Sequence, residues 1–272
     1  MTTHQGKVFS YPENFRALKI LISARYGGHD VTLDESFKFG ETNTTKAFLK
    51  KFPQGKVPCI ELTSGQLMDE SNSAAWFLSP DSMTGSGDKT VEASILRWIS
   101  LADLEVTPAA CNWVYPLVGI METSPAMDRG REDTIKLLTW LNTELRLKTW
   151  LVGERITLAD ICLMSSLLLV FTHKEAMDEK LKDELPHVTR WYNTVVNQKL
   201  VKAVLDTVNL EITHRKGYEK GKSGMFLCCA VNLIGSKTFM FNFVLYFYNL
   251  IYTFLDSCFY FTLFQLFQDP PA

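Results

Sequence analysis

The stretch Leu151-Val152-Gly153-Glu154-Arg155-Ile156-Thr157-Leu158-Ala159-Asp160 constrains the fold more than any other part of the chain. Thr157 suits an N-cap whose hydroxyl accepts from the Asp160 amide. The Asp160 carboxylate reaches back to the Thr157 amide, so two otherwise orphaned donors are satisfied reciprocally. Ile156 and Ile161 stand at the spacing of a hydrophobic staple, and Gly153 supplies a bend just upstream. The residues that follow, Ile161 to Phe171, are apolar on nearly every face, so the predicted helix is a buried one. A buried helix with this much local instruction at its start is the nucleus of an all-helical domain.

Charge excludes some functions and composition divides the chain. Twenty-eight basic against thirty acidic residues leave a net charge of -2, which gives no general reason to expect direct nucleic-acid binding. The six cysteines, at 59, 111, 162, 228, 229 and 258, form no CxxC and no metal-ligand spacing with the five histidines. They read as reduced packing cysteines of a cytoplasmic protein, and no metal site is expected. The N-terminus, Met1 to Lys7, lacks the apolar core of a secretory signal. Residues 225–272 differ sharply from the rest, holding ten of the eighteen Phe and only three charged side chains, Lys237, Asp256 and Asp269.

In chain order, Lys7 to Tyr11 is a strand halted by Pro12, which suits the first turn of a helix carrying Phe15, Leu18, Leu21 and Ile22. Gly27-Gly28 closes that helix, and Val31 to Ser36 is a second strand parallel to the first. A short helix is expected within 44–51. Cys59 to Leu62 is a strand entered through Pro58, whose missing amide is tolerated there and whose bond to Val57 can be cis. Gly65 turns the chain into Gln66-Leu67-Met68, and a helix starts around 69–73. Ser79 to Lys89 reads as a linker by its Pro, Gly and Ser content. Gly85-Ser86-Gly87 within it lacks the Lys-Ser/Thr of a phosphate loop. From Val91 to about Leu210 the pattern is helical almost throughout.

A small α/β domain, a linker and a helical domain with the string LVGERITLADICL resemble the glutathione S-transferase fold: a thioredoxin-like N-terminal domain followed by an all-α helical bundle. Within that fold the strings YPENFRALKI, FPQGKVPCIE, ESNSAAWFL and RWISLADLEVTPAACNWVYPLVGIM resemble the N-terminal region of the elongation factor 1 gamma-subunit family. The resemblance runs from about residue 5 to 215. It sets a thioredoxin-like domain over 1–80, a helical domain over 90–212, and a tail over 213–272 that is not of the family.

The resemblance implies a site and a role. Lys56, Val57 and Pro58, with Glu70 and Ser71, match the positions that hold glutathione. Val57 would offer its backbone to the cysteinyl part, and Ser71 a hydroxyl and amide to the γ-glutamyl carboxylate. Glu70 would pair with the ligand's amino group and Lys56 with a terminal carboxylate. Catalysis would further need a hydroxyl near the end of the first strand to lower the thiol pKa. The candidates are Ser10 and Tyr11, and Pro12 stands where theta-like transferases carry serine. The family role implied is a non-catalytic scaffold in the elongation factor 1 complex, docking the guanine-nucleotide-exchange subunit, with a homodimer as a further expectation. The alternative is a glutathione S-transferase acting on electrophiles. No cofactor is expected; glutathione enters only as ligand or substrate. Trp98, Trp113 and Tyr115 read equally as partner anchors and as bundle core, and lone His173 and His187 as structural or solvated residues.

The tail has two readings. Residues 214–224 form a basic connector, and Thr238 to Leu255 is free of charge over eighteen residues, about 27 Å if helical. That length approaches a membrane span, with the connector on the cytoplasmic side. Asn242 and Asn249 interrupt it, and the other reading is an atypical, disordered end translated from non-family sequence.

Overall fold

A computed structural model describes residues 3–208, all within one compact unit. The connector and the apolar stretch 238–255 lie outside the described residues. Among the described residues no helix is long and apolar enough to cross a membrane.

The chain opens with β1 (Gln5–Phe9), α1 (Phe15–Tyr26) and β2 (Asp30–Leu33), and β2 runs parallel to β1 with Val8 opposite Leu33. Both strands end earlier than the sequence pattern suggests, because polar side chains take over the backbone. Asp34 accepts from the Ser36 amide at 2.8 Å, and Ser10 is drawn into a bond with Asn14. Pro12 is not in the first turn of α1. Asn14 is the N-cap, its side chain accepting from the Arg16 amide at 3.0 Å, and Pro12 belongs to the turn before it. A 3-10 turn (Thr42–Thr44) leads to α2 (Lys46–Lys51), capped by Thr45. The antiparallel pair β3 (Cys59–Leu62) and β4 (Leu67–Met68) completes a sheet of order β2-β1-β3-β4, and α3 (Ser71–Leu78) packs on α1.

The expected linker is more ordered than its composition suggests. Asp81–Thr84 forms a helical turn, α4, closed by Gly85 at φ 113°. Asp88 then caps α5 (Lys89–Leu101), accepting from the Thr90 and Val91 amides. The prolines beyond α5 do not break the rod. It widens into a π-helical segment (Ala102–Val106), in which the Thr107 amide reaches back to the Ala102 carbonyl, and continues as α6 (Thr107–Leu117). Pro108 removes one helical donor, and the wider turn just before it absorbs the loss. The remaining helices are α7 (Pro125–Glu144), α8 (Leu158–Thr172), α9 (Glu179–Glu184), α10 (Pro186–Val196) and α11 (Lys199–Leu205).

The capped helix α8 sits at the centre. Leu158 through Val170 are all buried, and α8 touches α1, α3, α5, α6 and α10. One apolar core runs from the sheet (Val8, Ile60) through α1 (Leu18, Ile22) into the helices (Ile95, Leu141, Leu167). A separate aromatic cluster of Phe48, Phe52, Val57 and Cys59 lies on the sheet side, with Phe9, Tyr11, Phe37 and Phe39 against it.

Candidate functional site

The five residues of the glutathione-like site come together at one corner of the sheet. The bond between Val57 and Pro58 is cis. The antiparallel pairing of Ile60 with Met68 puts the start of β3, just after Pro58, at the same end of the sheet as the end of β4, from which the chain reaches Glu70 and Ser71. Val57 is buried in the sheet-side cluster just before β3, and no backbone–backbone hydrogen bond engages it among the described residues. Glu70 is exposed and holds φ 58°, ψ 104°, a conformation that costs a non-glycine residue on the order of 1–3 kcal/mol. It delivers Ser71, nearly buried, as the first residue of α3. Lys56 is exposed at the rim. Cys59 is inert by its surroundings: its thiol donates to the Lys56 carbonyl at 2.8 Å. Burial, joined by the Asp69 and Glu70 carboxylates, pushes its pKa up to about 12.

The hydroxyl candidates Ser10 and Tyr11 follow the end of β1. Phe9 pairs with Cys59 at the end of β1, so Ser10 follows the same end of the sheet that Pro58 precedes. Ser10 is buried, and its Oγ accepts from Asn14 Nδ2 at 3.0 Å, which ties it to the cap of α1. Tyr11 packs edge-on against Phe39, with ring centroids 5.4 Å apart, in the sheet-side cluster. Of the aromatic candidates, Trp98 and Trp113 are buried core residues, while Tyr115 is partly buried. Burial is the main cause that raises the Tyr115 phenol well above its ordinary pKa, with Cys111 adding to it. His173 sits at the end of α8, and His187 opens α10, its amide donating to Asn142.

Two further polar centres hold the molecule together. Asp160, fully buried, accepts from the Leu151 amide (3.0 Å), the Thr157 amide (2.9 Å), the Thr157 hydroxyl (3.2 Å) and Trp191 Nε1 (2.9 Å). The capping box with Thr157 is formed, and its Asp160 half is the tight one. Burial pushes this carboxyl up, and the four donors pull it part of the way back. The second centre left no local signal in the sequence. Lys19 of α1 is fully buried, donating to Asn72 Oδ1 at 2.7 Å and pairing with Asp103 at 3.3 Å. Asn72 bonds Asp103 in turn at 3.2 Å, so α1, α3 and the π-helical segment meet at one point. Among the described residues, no group of three or more His, Cys, Asp or Glu is placed to hold a metal ion.

The class of fold is now defined, and comparisons with known proteins agree with it. Residues 99–199 match the family description "Glutathione S-transferase, C-terminal domain". Glutathione transferase F7 from Populus trichocarpa superposes with a TM-score of 0.65 at 20% identity, covering 75% of this chain and 99% of that one. The transferase URE2P6 from Phanerochaete chrysosporium, solved with oxidized glutathione, gives 0.64 at 16% identity, covering 75% of this chain and 96% of that one. The fold is that of the glutathione S-transferases.

Sequence relatives narrow this further. The chain is 45% identical to elongation factor 1-gamma of Artemia salina over 206 residues, 75% of this chain and 47% of that protein. It is 43% identical over 206 residues to its Drosophila melanogaster counterpart, 76% of this chain and 47% of that protein. For the Mus musculus protein the identity is 39% over 209 residues, 75% of this chain and 47% of that protein. Over this stretch the chain is a relative of elongation factor 1-gamma. It spans about half the length of these relatives, 47% in each case.

Proposed function

We propose that the chain is a cytoplasmic gamma-type subunit of translation elongation factor 1, and that its transferase-like region is a non-catalytic scaffold docking the guanine-nucleotide-exchange subunit. The observation that carries this reading is the 45% identity to a protein named elongation factor 1-gamma, across the transferase-like fold. The non-catalytic part is supported by the burial of Ser10, whose Oγ accepts from Asn14 Nδ2 at the cap of α1. Mixing the purified full-length chain with the purified exchange subunit at low salt is expected to yield a stable complex on gel filtration. Two separate peaks would reject the scaffold reading.

A ligand role for glutathione is favoured by one specific feature, the Val57 backbone, which no backbone–backbone hydrogen bond engages, at the end of the sheet from which α3 starts. On this reading Val57 binds the cysteinyl segment, Ser71 and the first turn of α3 the γ-glutamyl carboxylate, and Glu70 the amino group. Calorimetry is expected to show glutathione binding that weakens about tenfold in Ser71→Ala, the loss of roughly one hydrogen bond to a charged group. Conjugation to an aromatic electrophile is expected to stay at the uncatalysed rate. Turnover that disappears in Ser10→Ala or Tyr11→Phe would instead make the chain a glutathione S-transferase.

A further inference from the structure

A pair of histidines fastens the first strand at its start, at the opposite end of β1 from Ser10 and Tyr11. His4, just before β1, donates its backbone N–H at 3.2 Å to Nδ1 of His29, just before β2. The Asp30 amide donates in turn to the His4 carbonyl at 2.9 Å, so a clasp closes across the parallel pair. The two imidazoles lie 4.9 Å apart at 57°, and Phe77 of α3 lies 5.0 Å from the His4 ring. A side chain at Gly27 would run into both His29 Nε2 and the Leu78 carbonyl, which puts the His29 ring close against the end of α1. The starts of β1 and β2 and the ends of α1 and α3 thus meet around one titratable ring.

The chemistry of that ring decides when the clasp holds. A backbone N–H can only donate, so Nδ1 offers its lone pair and the proton of the neutral ring sits on Nε2. An imidazolium has no acceptor. A proton on Nδ1 sets two N–H groups against each other, and a charge on His4 as well would place like charges 4.9 Å apart. The titratable and charged groups on the surrounding elements are His4 and Lys7 at β1, Arg25 and Tyr26 at the end of α1, and Asp30 of β2; α3 carries none. Lys7 is engaged with Thr32 at 2.9 Å. Among the described residues no carboxylate pairs with either imidazole, so nothing there compensates a positive ring. Burial first, and His4 second, hold the His29 pKa below its ordinary 6.5. A lowered histidine contributes stability that is complete above 6.5 and is lost as pH falls through the folded value.

We infer that the His4–His29 pair is an acid-sensitive clasp, closed while His29 is neutral and opened when Nδ1 takes a proton, which frees the start of β1 from β2 and from the end of α3. The pairs Lys7 with Thr32 and Val8 with Leu33 lie farther along the strands and keep the rest of the sheet closed. The clasp is independent of the scaffold reading and of the glutathione-like corner.

The test follows the full-length chain by NMR from about pH 7.5 to about pH 5, the range over which a histidine changes charge. In the wild type the His4 amide proton is expected to move upfield with the same midpoint as the His29 ring, below 6.5, while the Val8 and Leu33 amides stay in place. His29→Asn sets a carbonyl oxygen at the Nδ1 position with nothing to titrate, so its His4 amide should hold the closed position throughout. His29→Leu offers no acceptor, and its His4 amide should stand at the open position already at neutral pH. A wild-type His4 amide that does not follow the His29 ring overturns the clasp, and this titration decides alone if a variant does not fold. A His4 amide that moves as far in His29→Asn as in the wild type overturns it too.

Discussion

The two buried polar centres solve the same problem in opposite ways. Asp160 is a single buried carboxylate with no counter-ion in its ring of partners; four N–H and O–H donors surround it instead. The Lys19 centre is an ion pair whose cation is completely enclosed and whose anion, Asp103, keeps 30% of its side chain in solvent. Asp160 gathers the start of one helix, the chain before it and a tryptophan of α10. Lys19 gathers α1, α3 and the π-helical segment, and so ties the sheet layer to the helical layer. A buried carboxylate ringed by donors is unforgiving, because removing it strands every donor at once. A buried ion pair is more negotiable, because an apolar pair of similar volume can replace it.

The largest expected effect is therefore at Asp160. Asp160→Ala leaves the Leu151 amide, the Thr157 amide and Trp191 Nε1 without acceptors in a fully buried site. The expected cost is about 3–5 kcal/mol, well beyond the ~1 kcal/mol of an ordinary lost cap. Urea unfolding measures it, and a cost near 1 kcal/mol would reduce the site to simple capping. Lys19→Met should cost less, about 2–3 kcal/mol, since the abandoned Asp103 is partly solvated. Lys19→Met combined with Asp103→Leu is expected to recover most of that loss, whereas no second substitution at Thr157 should rescue Asp160→Ala. A double variant at 19 and 103 as unstable as the Lys19 single would show that the pair is not separable from the packing around it.

The contrast also explains what was legible before the fold was seen. Thr157 and Asp160 lie three residues apart and Leu151 only nine away, so most of that centre was written in one stretch; its Trp191 partner was not. Lys19 was invisible because the stripe of Phe15, Leu18, Leu21 and Ile22 assigns it to the polar side of an amphipathic helix. In the folded chain α3, α8 and α11 enclose α1, and that polar side becomes interior. Asn72 and Asp103 are distant in sequence and read singly as surface residues. The order of β3, β4 and α3 was legible from Pro58, Gly65 and the helix start at 69–73, and the antiparallel register of Ile60 with Met68 follows from that hairpin. The occupied state of Ser10 was not, because it depends on Asn14 rather than Pro12 starting α1.

Smaller effects probe the supports of each centre. Thr107 donates to the Ala102 carbonyl at 2.8 Å and lies 2.9 Å from Ser166 Oγ, bracing the π-helical segment that presents Asp103. Thr107→Val keeps the shape and removes both bonds, for an expected loss of about 1 kcal/mol. If the Lys19 centre depends on that brace, the Thr107→Val and Lys19→Met losses will not add, and simple additivity would separate them.

The smallest effect is a titration and needs no mutation. Burial pushes the Cys162 thiol up to about 11, with Asp103 pushing it the same way and Lys19 pulling it down; Cys59 is pushed to about 12. Both folded-state values lie above those of an unfolded thiol. Each group thus contributes stability that is complete below about pH 9 and is lost as pH rises through 11 and 12. At pH 8 the Cys59 thiolate is about one part in ten thousand, so the native thiol should resist alkylation. Iodoacetamide treatment of the folded chain, mapped by mass spectrometry, is expected to leave Cys59 and Cys162 unmodified at pH 8 and to modify them only as the protein opens in alkali. Because Lys19 is the one group that lowers the Cys162 value, Lys19→Met should leave the start of the alkaline limb near pH 9 and extend its upper end beyond pH 11, even though the variant is less stable at pH 7. Labelling of Cys162 at pH 8 in that variant would mean that loss of the cation opens the interior rather than merely removing a charge.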